Sequence, residues 1–235
     1  MMLQQNIPEM TRFGVGSYTI QEAASLIKES NRNIARWMKG YSYTRNNEKH
    51  HIDPLWETEW PSEEDHIELG FRDLIELRFV KAFTDAGIGL LAIRNCLEYA
   101  RECVNDDHPF STRRFQTDGK TIFLEGIQRS KEARVLDLKR RQYVFRQIIA
   151  QTFKDLDIED DAVARWRPFN GKQTIVIDPK RSFGQPITNR YGIPTVVLSD
   201  ALAAEGSIDR VSRLYDVPPN VIKDAVKFES TLKAA

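Results

Sequence analysis

The chain has 235 residues, and its 34 Lys and Arg are balanced by 34 Asp and Glu, so the formal net charge is zero. Hydrophobic residues make up 41% and aromatics 10%, enough to fill a core, which excludes global disorder. No run approaches the roughly 18 apolar residues of a membrane span, and neutrality excludes a uniformly basic nucleic-acid binder but not a basic face balanced elsewhere.

The charges are sorted in blocks. Residues 28–45 carry Lys28, Arg32, Arg36, Lys39 and Arg45 against Glu29 alone, whereas residues 53–68 hold seven acids and no Lys or Arg. Residues 128–146 are basic, 155–161 acidic, and 165–190 basic again. Such alternation on a neutral chain predicts separate surfaces with separate partners. The opening Met1-Met2-Leu3-Gln4-Gln5-Asn6 has no basic or apolar region of a secretory signal. Two cysteines, Cys96 and Cys103, fit a reducing compartment, so a cytoplasmic protein is expected.

In chain order, residues 1–16 read as a tail. Thr19 and Glu22 have capping-box spacing, and Ile20, Ala23, Ala24 and Ile27 recur at helical spacing. After a short break, Ser30 caps a second helix, Asn31 to Lys39, stopped by Gly40. Two short helices joined by about three residues predict a helix-turn-helix. Its second helix turns Ile34 and Trp37 inward and carries Arg32, Asn33, Arg36 and Lys39 outward, the composition of a recognition helix. The expected DNA contacts are Ser30, Asn31, Arg32, Asn33, Arg36 and Lys39, with Tyr43 and Arg45 from a wing starting at Tyr41. Residues 46–66 read as a loop.

Leu69 to Asp85 and Leu90 to Val104 are amphipathic helices punctuated by Gly87 and Gly89. Asp118-Gly119 between β-prone runs predicts a hairpin over 114–124. Lys131 to Leu156 reads as one long packing or dimerisation helix, with Val135, Leu138, Gln142, Phe145, Ile149, Thr152 and Leu156 at heptad spacing. Thr174 to Ile177 is a short strand; helices follow at 196–204, 208–215 and 220–229, the last two forming a second helix-turn-helix. The fold class is therefore mainly α. An N-terminal winged helix-turn-helix with a small hairpin is followed by a long connecting helix and a C-terminal, homeodomain-like helix-turn-helix. The boundaries are 1–16 tail, 17–110 DNA-binding domain, 111–170 hairpin and long helix, and 171–235 C-terminal domain.

Enzyme chemistry finds little support. There is no Gly-rich phosphate loop and no Ser or Cys nucleophile motif. Cys96 and Cys103 lie seven apart on one helix, too far to grip one metal unaided, and the His50-His51 pair is read as inert. No enzyme activity, metal or cofactor is expected.

Several motifs resemble known families. Tyr18-Thr19-Ile20-Gln21-Glu22-Ala23-Ala24, Ile34-Ala35-Arg36-Trp37, Phe71-Arg72-Asp73-Leu74-Ile75-Glu76-Leu77-Arg78 and Ala86-Gly87-Ile88 resemble the MerR-type winged helix with its two following helices. Ile177-Asp178-Pro179, Ser182-Phe183-Gly184-Gln185-Pro186, Gly192-Ile193-Pro194-Thr195 and Leu214-Tyr215-Asp216-Val217 resemble a small homeodomain-like domain of bacterial antitoxins. Together, with Thr117-Asp118-Gly119 and Arg165-Trp166-Arg167-Pro168 between them, they resemble the long VapB-like antitoxins of type II toxin–antitoxin systems. That resemblance implies a PIN-type ribonuclease toxin as partner and repression of the chain's own operon through operator DNA. A homodimer is expected from the long helix. The tyrosine-rich runs and effector cysteines of typical MerR regulators are missing, so a ligand-responsive regulator is the runner-up.

A PIN-type site is a carboxylate cluster that binds divalent metal, and arginine forks pair with carboxylates. Residues 165–190 carry Arg165, Arg167, Lys172, Lys180, Arg181 and Arg190 against Asp178, so Arg165, Arg167, Arg181 and Arg190 are the expected toxin contacts. The bland alternative pairs Arg165 and Arg167 with the acidic run 155–161.

Overall fold

The computed structural model describes residues 14–60, 67–129 and 138–233. It is mainly helical, with three two-stranded sheets among the described residues. Most of the expected tail, residues 1–13, lies outside them, as do residues 131–137 of the expected long helix.

Local caps set the first helices. In α1 (Ile20–Ile27) the Thr19 hydroxyl accepts from the Glu22 amide at 3.2 Å, and the Glu22 carboxylate accepts from the Thr19 amide at 2.8 Å. In α2 (Asn31–Lys39) the Ser30 hydroxyl accepts from the Asn33 amide at 3.2 Å. Gly40 ends α2 at φ +69°, where a Cβ would stand 2.2 Å from the Ile52 carbonyl oxygen, so only glycine permits the turn. β1 (Tyr41–Arg45) follows and pairs antiparallel with β2 (Glu48–Ile52). The expected loop over 46–66 thus contains a strand. Asn46 and Asn47, at φ 52° and 64°, form the two-residue turn that makes it.

α3 (Phe71–Asp85) starts two residues later than expected, and α4 (Leu90–Val104) lies where its periodicity places it. The expected hairpin at 114–124 is not formed: α5 (Arg113–Arg129) runs through Asp118-Gly119 as one helix. Buried Phe115, Gly119, Ile122, Phe123 and Gly126 make its inner face at helical spacing. The two glycines let neighbours close in, since a Cβ on Gly119 would lie 3.1 Å from the Ile149 side chain and one on Gly126 3.0 Å from the Cys96 Cα. Packing has overridden a local turn signal, against the roughly 1 kcal/mol that a helical glycine costs relative to alanine.

α6 (Leu138–Phe153) stops short of Leu156, where β3 (Leu156–Glu159) begins and pairs with β4 (Ala162–Trp166). The long helix therefore does not run to 156. Its stripe members Phe145, Ile149 and Thr152 are buried within this chain, so they serve packing rather than an exposed dimer seam. β5 (Ile175–Val176) and β6 (Ile187–Thr188) pair antiparallel, and α7 (Thr195–Glu205), α8 (Ile208–Tyr215) and α9 (Pro219–Lys233) complete the chain.

The main core runs from Tyr18 to Ile177 and is rich in phenylalanine: Phe83 meets Phe123 at 4.5 Å, Phe123 meets Phe145 at 3.9 Å, and Phe79 meets Phe153 at 5.0 Å. A smaller core of Leu198, Val211, Val217, Val221, Ile222 and Ala225 holds α7–α9 together. Phe228 of α9 joins the main core edge-on to Phe169 at 6.0 Å.

Candidate functional site

The outer face of α2 is the most developed candidate surface. Ile34, Trp37 and Met38 are buried, which fixes the rotation of the helix. Asn31, Arg32 and Lys39 are exposed on the opposite side, and Asn33 and Arg36 are half-buried. The Arg36 guanidinium lies over the Tyr41 ring, 4.2 Å from its centroid. Ser30 is spent as the cap, and the Asn33 side-chain Nδ2 donates to the Glu29 carboxylate at 2.9 Å, so these two are tied down locally. On the hairpin, Tyr43 is 40% exposed and stacks on His50 at 5.1 Å. Arg45 closes β1, opposite Glu48 in the backbone register. His50 on β2 joins this surface through Tyr43, while Lys49, paired with Thr44, belongs to the other face of the hairpin; the sequence reading missed both. Asn46-Asn47 is the signal that could have found them.

A strap of residues 53–59 holds α2 and the hairpin against the helical body. The Leu55 amide donates to the Trp37 carbonyl at 2.8 Å, at the C-terminal end of α2. Arg94 of α4 donates to the Asp53 and Pro54 carbonyls at 2.6 and 2.7 Å, and Arg101 to the Leu55 carbonyl at 3.3 Å. Beneath the strap, Asp73 of α3 accepts from the Trp56 indole at 2.7 Å, the Glu59 amide at 3.0 Å and the Gly70 amide at 2.8 Å. His108, on the α4–α5 connection, meets Asp73 at 2.9 Å.

Glu76, one turn along α3, accepts from the Ser111 amide at 2.9 Å, while its other carboxylate oxygen is buried without a hydrogen-bond partner. Burial pushes the Glu76 pKa up to about 8, against the lowering influence of His108 and Arg72. Burial works to lower that of His108, but its bond to Asp73 and the charges of Glu76, Asp73 and Glu59 outweigh this and raise it. Glu59 is likewise raised, by burial and then by Asp73.

The expected toxin-contact arginines divide. Arg165 pairs with Glu159 and lies 3.9 Å from Asp157, and Arg167 pairs with Asp157 at 3.1 Å. These two are therefore held by the acids of β3, the strand that pairs with β4. Arg181 is half-buried and donates to the Asn189 carbonyl at 3.0 Å; Arg190 is exposed, its guanidinium 5.8 Å from the Tyr191 ring centroid. A groove of about 1390 Å³ separates α1 from the C-terminal segment, with Tyr18, Leu26, Lys180, Pro194, Val196 and Lys233 on its walls.

Cys96 is buried and donates to the Phe123 carbonyl at 3.3 Å, and burial pushes its thiol up. It is a packing group. No helix among the described residues is long and apolar enough to cross a membrane.

No protein-family model matches the chain. It is 27% identical over 226 residues to a Mycobacterium tuberculosis protein named "Putative antitoxin VapB45", covering 92% of this chain and 94% of that one. The crystal structure of Rv2018 from Mycobacterium tuberculosis superposes with a TM-score of 0.71 at 26% identity, covering 92% of this chain and 99% of that one. Both likenesses extend over nearly the whole of each chain.

Proposed function

We propose that this protein is the DNA-binding antitoxin of a type II toxin–antitoxin pair, neutralising a PIN-type ribonuclease of the VapC kind and repressing its own operon. One observation carries the reading: the likeness to the antitoxin-named relative runs end to end, over 92% of this chain and 94% of the other. A shared helix pair alone would point only to a shared module.

In this reading α1, α2 and the β1–β2 hairpin work as a winged helix-turn-helix of MerR type within residues 17–110. α2 enters the major groove, with Arg32 and Arg36 toward base edges or phosphates and Ser30, Asn31 and Asn33 at the approaching helix start. Lys39, Tyr43 and Arg45 reach the backbone. Two copies bind a two-fold operator as a homodimer. Residues 171–235 carry toxin neutralisation, with Arg190 and Arg181 as the cations offered to a carboxylate site; the internal pairing of Arg165 and Arg167 makes these two the weaker candidates.

The test is a gel shift on the chain's own promoter. Arg32→Ala and Arg36→Ala should each lose about 1–3 kcal/mol if they read bases, or lower the salt slope by about one if they contact phosphate. Equal binding by wild type and both variants rejects the assignment of α2.

A further inference from the structure

We propose that the buried Asp73–His108–Glu76 cluster is a proton-dependent latch on the strap 53–59, and that through the strap it positions α2 for DNA. The second half rests on the function proposed above; the first does not.

The strap is one covalent and hydrogen-bonded link between the candidate DNA surface and the body, beside the packing of α1 and α2 in the main core. It leaves β2 at Ile52, receives the end of α2 through the Leu55–Trp37 bond, and ends on Asp73 through Trp56 and Glu59. Asp73 thus carries two strap bonds and His108 on one carboxylate.

The latch is sensitive to protons because of what faces it from each neighbouring element. α3 supplies Arg72, Asp73 and Glu76; the strap supplies Glu59; α4 supplies Arg101; and the α4–α5 connection supplies His108 and Asp106, the latter occupied by Arg72 at 2.8 Å. With His108 charged and Glu76 neutral, the site is near balance. When both lose their protons, Asp73, Glu76 and Glu59 face only Arg72 and Arg101. The new charge on Glu76 then has a buried oxygen with no hydrogen-bond donor. A buried, unsatisfied carboxylate is costly, and an open strap that admits water relieves it. Strap opening is therefore favoured as pH rises from the ordinary carboxylate range toward about 8.

The experiment follows exchange of the Leu55 amide by NMR on the full chain without DNA, from pH 6 to 8.5, corrected for intrinsic exchange. The opening constant should rise by up to about tenfold per pH unit for each proton released. The variant Glu76→Gln, His108→Gln keeps acceptor and donor but removes both titrations, leaving only Glu59, so its corrected exchange should lose most of its pH dependence. Should that variant not fold, the Trp56 indole proton in wild type, which donates to Asp73, must exchange in step with Leu55. A pH-independent corrected rate at Leu55 in wild type overturns the latch.

Gel shifts at pH 6 and 8 test the second half. Weaker binding at pH 8 in wild type but not in the double variant supports positioning. Unchanged affinity despite faster Leu55 exchange overturns positioning. No binding even at pH 6 removes the DNA reading and the positioning role with it, while the exchange result still decides the latch.

Discussion

The Arg36 guanidinium rests on the face of the Tyr41 ring, 4.2 Å from its centroid, so the last turn of α2 and the first residue of the hairpin share one contact. A cation held over a ring has fewer rotamers to lose when it meets a phosphate or base. The exposed form of this interaction is worth about 0.5–1 kcal/mol. Tyr41→Leu should therefore weaken operator binding roughly 2–5-fold, Tyr41→Phe should leave it near wild type, and Arg36→Ala should exceed both. Titrations at one fixed salt concentration check the order.

Asp155 stitches distant parts of the chain. It accepts two bonds from Arg78 of α3, at 2.9 and 3.1 Å, and one from the Trp166 indole at 2.9 Å, while Arg78 stacks on that indole at 4.3 Å. Removing the carboxylate strands a nearly buried cation. Asp155→Ala should cost about 3–5 kcal/mol, and Asp155→Asn less, because the amide oxygen still accepts. Chemical denaturation measures both; a loss below about 1 kcal/mol for the alanine variant would contradict the role given to this pair.

Gly126 faces a neighbour that cannot yield, since a Cβ there would lie 3.0 Å from the backbone Cα of Cys96. Gly126→Val should overpack the α4–α5 seam and cost about 1–3 kcal/mol. At roughly 2–4 °C per kcal/mol for a chain of this size, the melting temperature should fall by several degrees. Gly89→Ser is the control: its site is open, and serine suits the N-cap it occupies.

Stability should depend on pH with a definite sign. Glu76 has a folded pKa of about 8 against 4.5 when unfolded, so between these values the folded state holds a proton that the unfolded state has lost. His108, raised above 6.5, adds to the same trend. Stability is then fully present at the acid end of this window and declines as pH rises toward about 8, by at most about 1.4 kcal/mol per unit for each proton. Denaturant midpoints at pH 5.5, 6.5, 7.5 and 8.5 should fall in order, and Glu76→Gln should flatten most of the slope.

Signals carried within three or four residues were legible in the sequence. The Thr19–Glu22 box, the Ser30 cap and the Gly40 stop all act locally, so α1 and α2 and their outward residues follow from them. β2 was hidden because Glu48-Lys49-His50-His51-Ile52 has no apolar alternation, the hairpin being solvated on most positions. The Asp118-Gly119 signal misled because a helical glycine is chosen by what packs on it, here Ile149, which lies 30 residues away in sequence. The acidic run 155–161 concealed a hairpin whose Asp160 and Asp161 take φ 46° and 65°. The latch joins Asp73 to His108 and Glu76 to the Ser111 amide, each 35 residues on, which no local pattern marks. The one hint was two acids spaced i, i+3 among Phe71, Leu74, Ile75 and Leu77.

The central claim is that this chain neutralises a nuclease while binding its operator, and growth measures it most directly. Cells expressing the neighbouring open reading frame alone should stop growing, and co-expression of this chain should restore growth. The Arg181→Ala, Arg190→Ala variant should fail to restore it while still shifting operator DNA. Normal growth with the neighbour expressed alone, or arrest that this chain does not relieve, would contradict the antitoxin reading. Full rescue by the double variant would move the neutralising surface off these arginines.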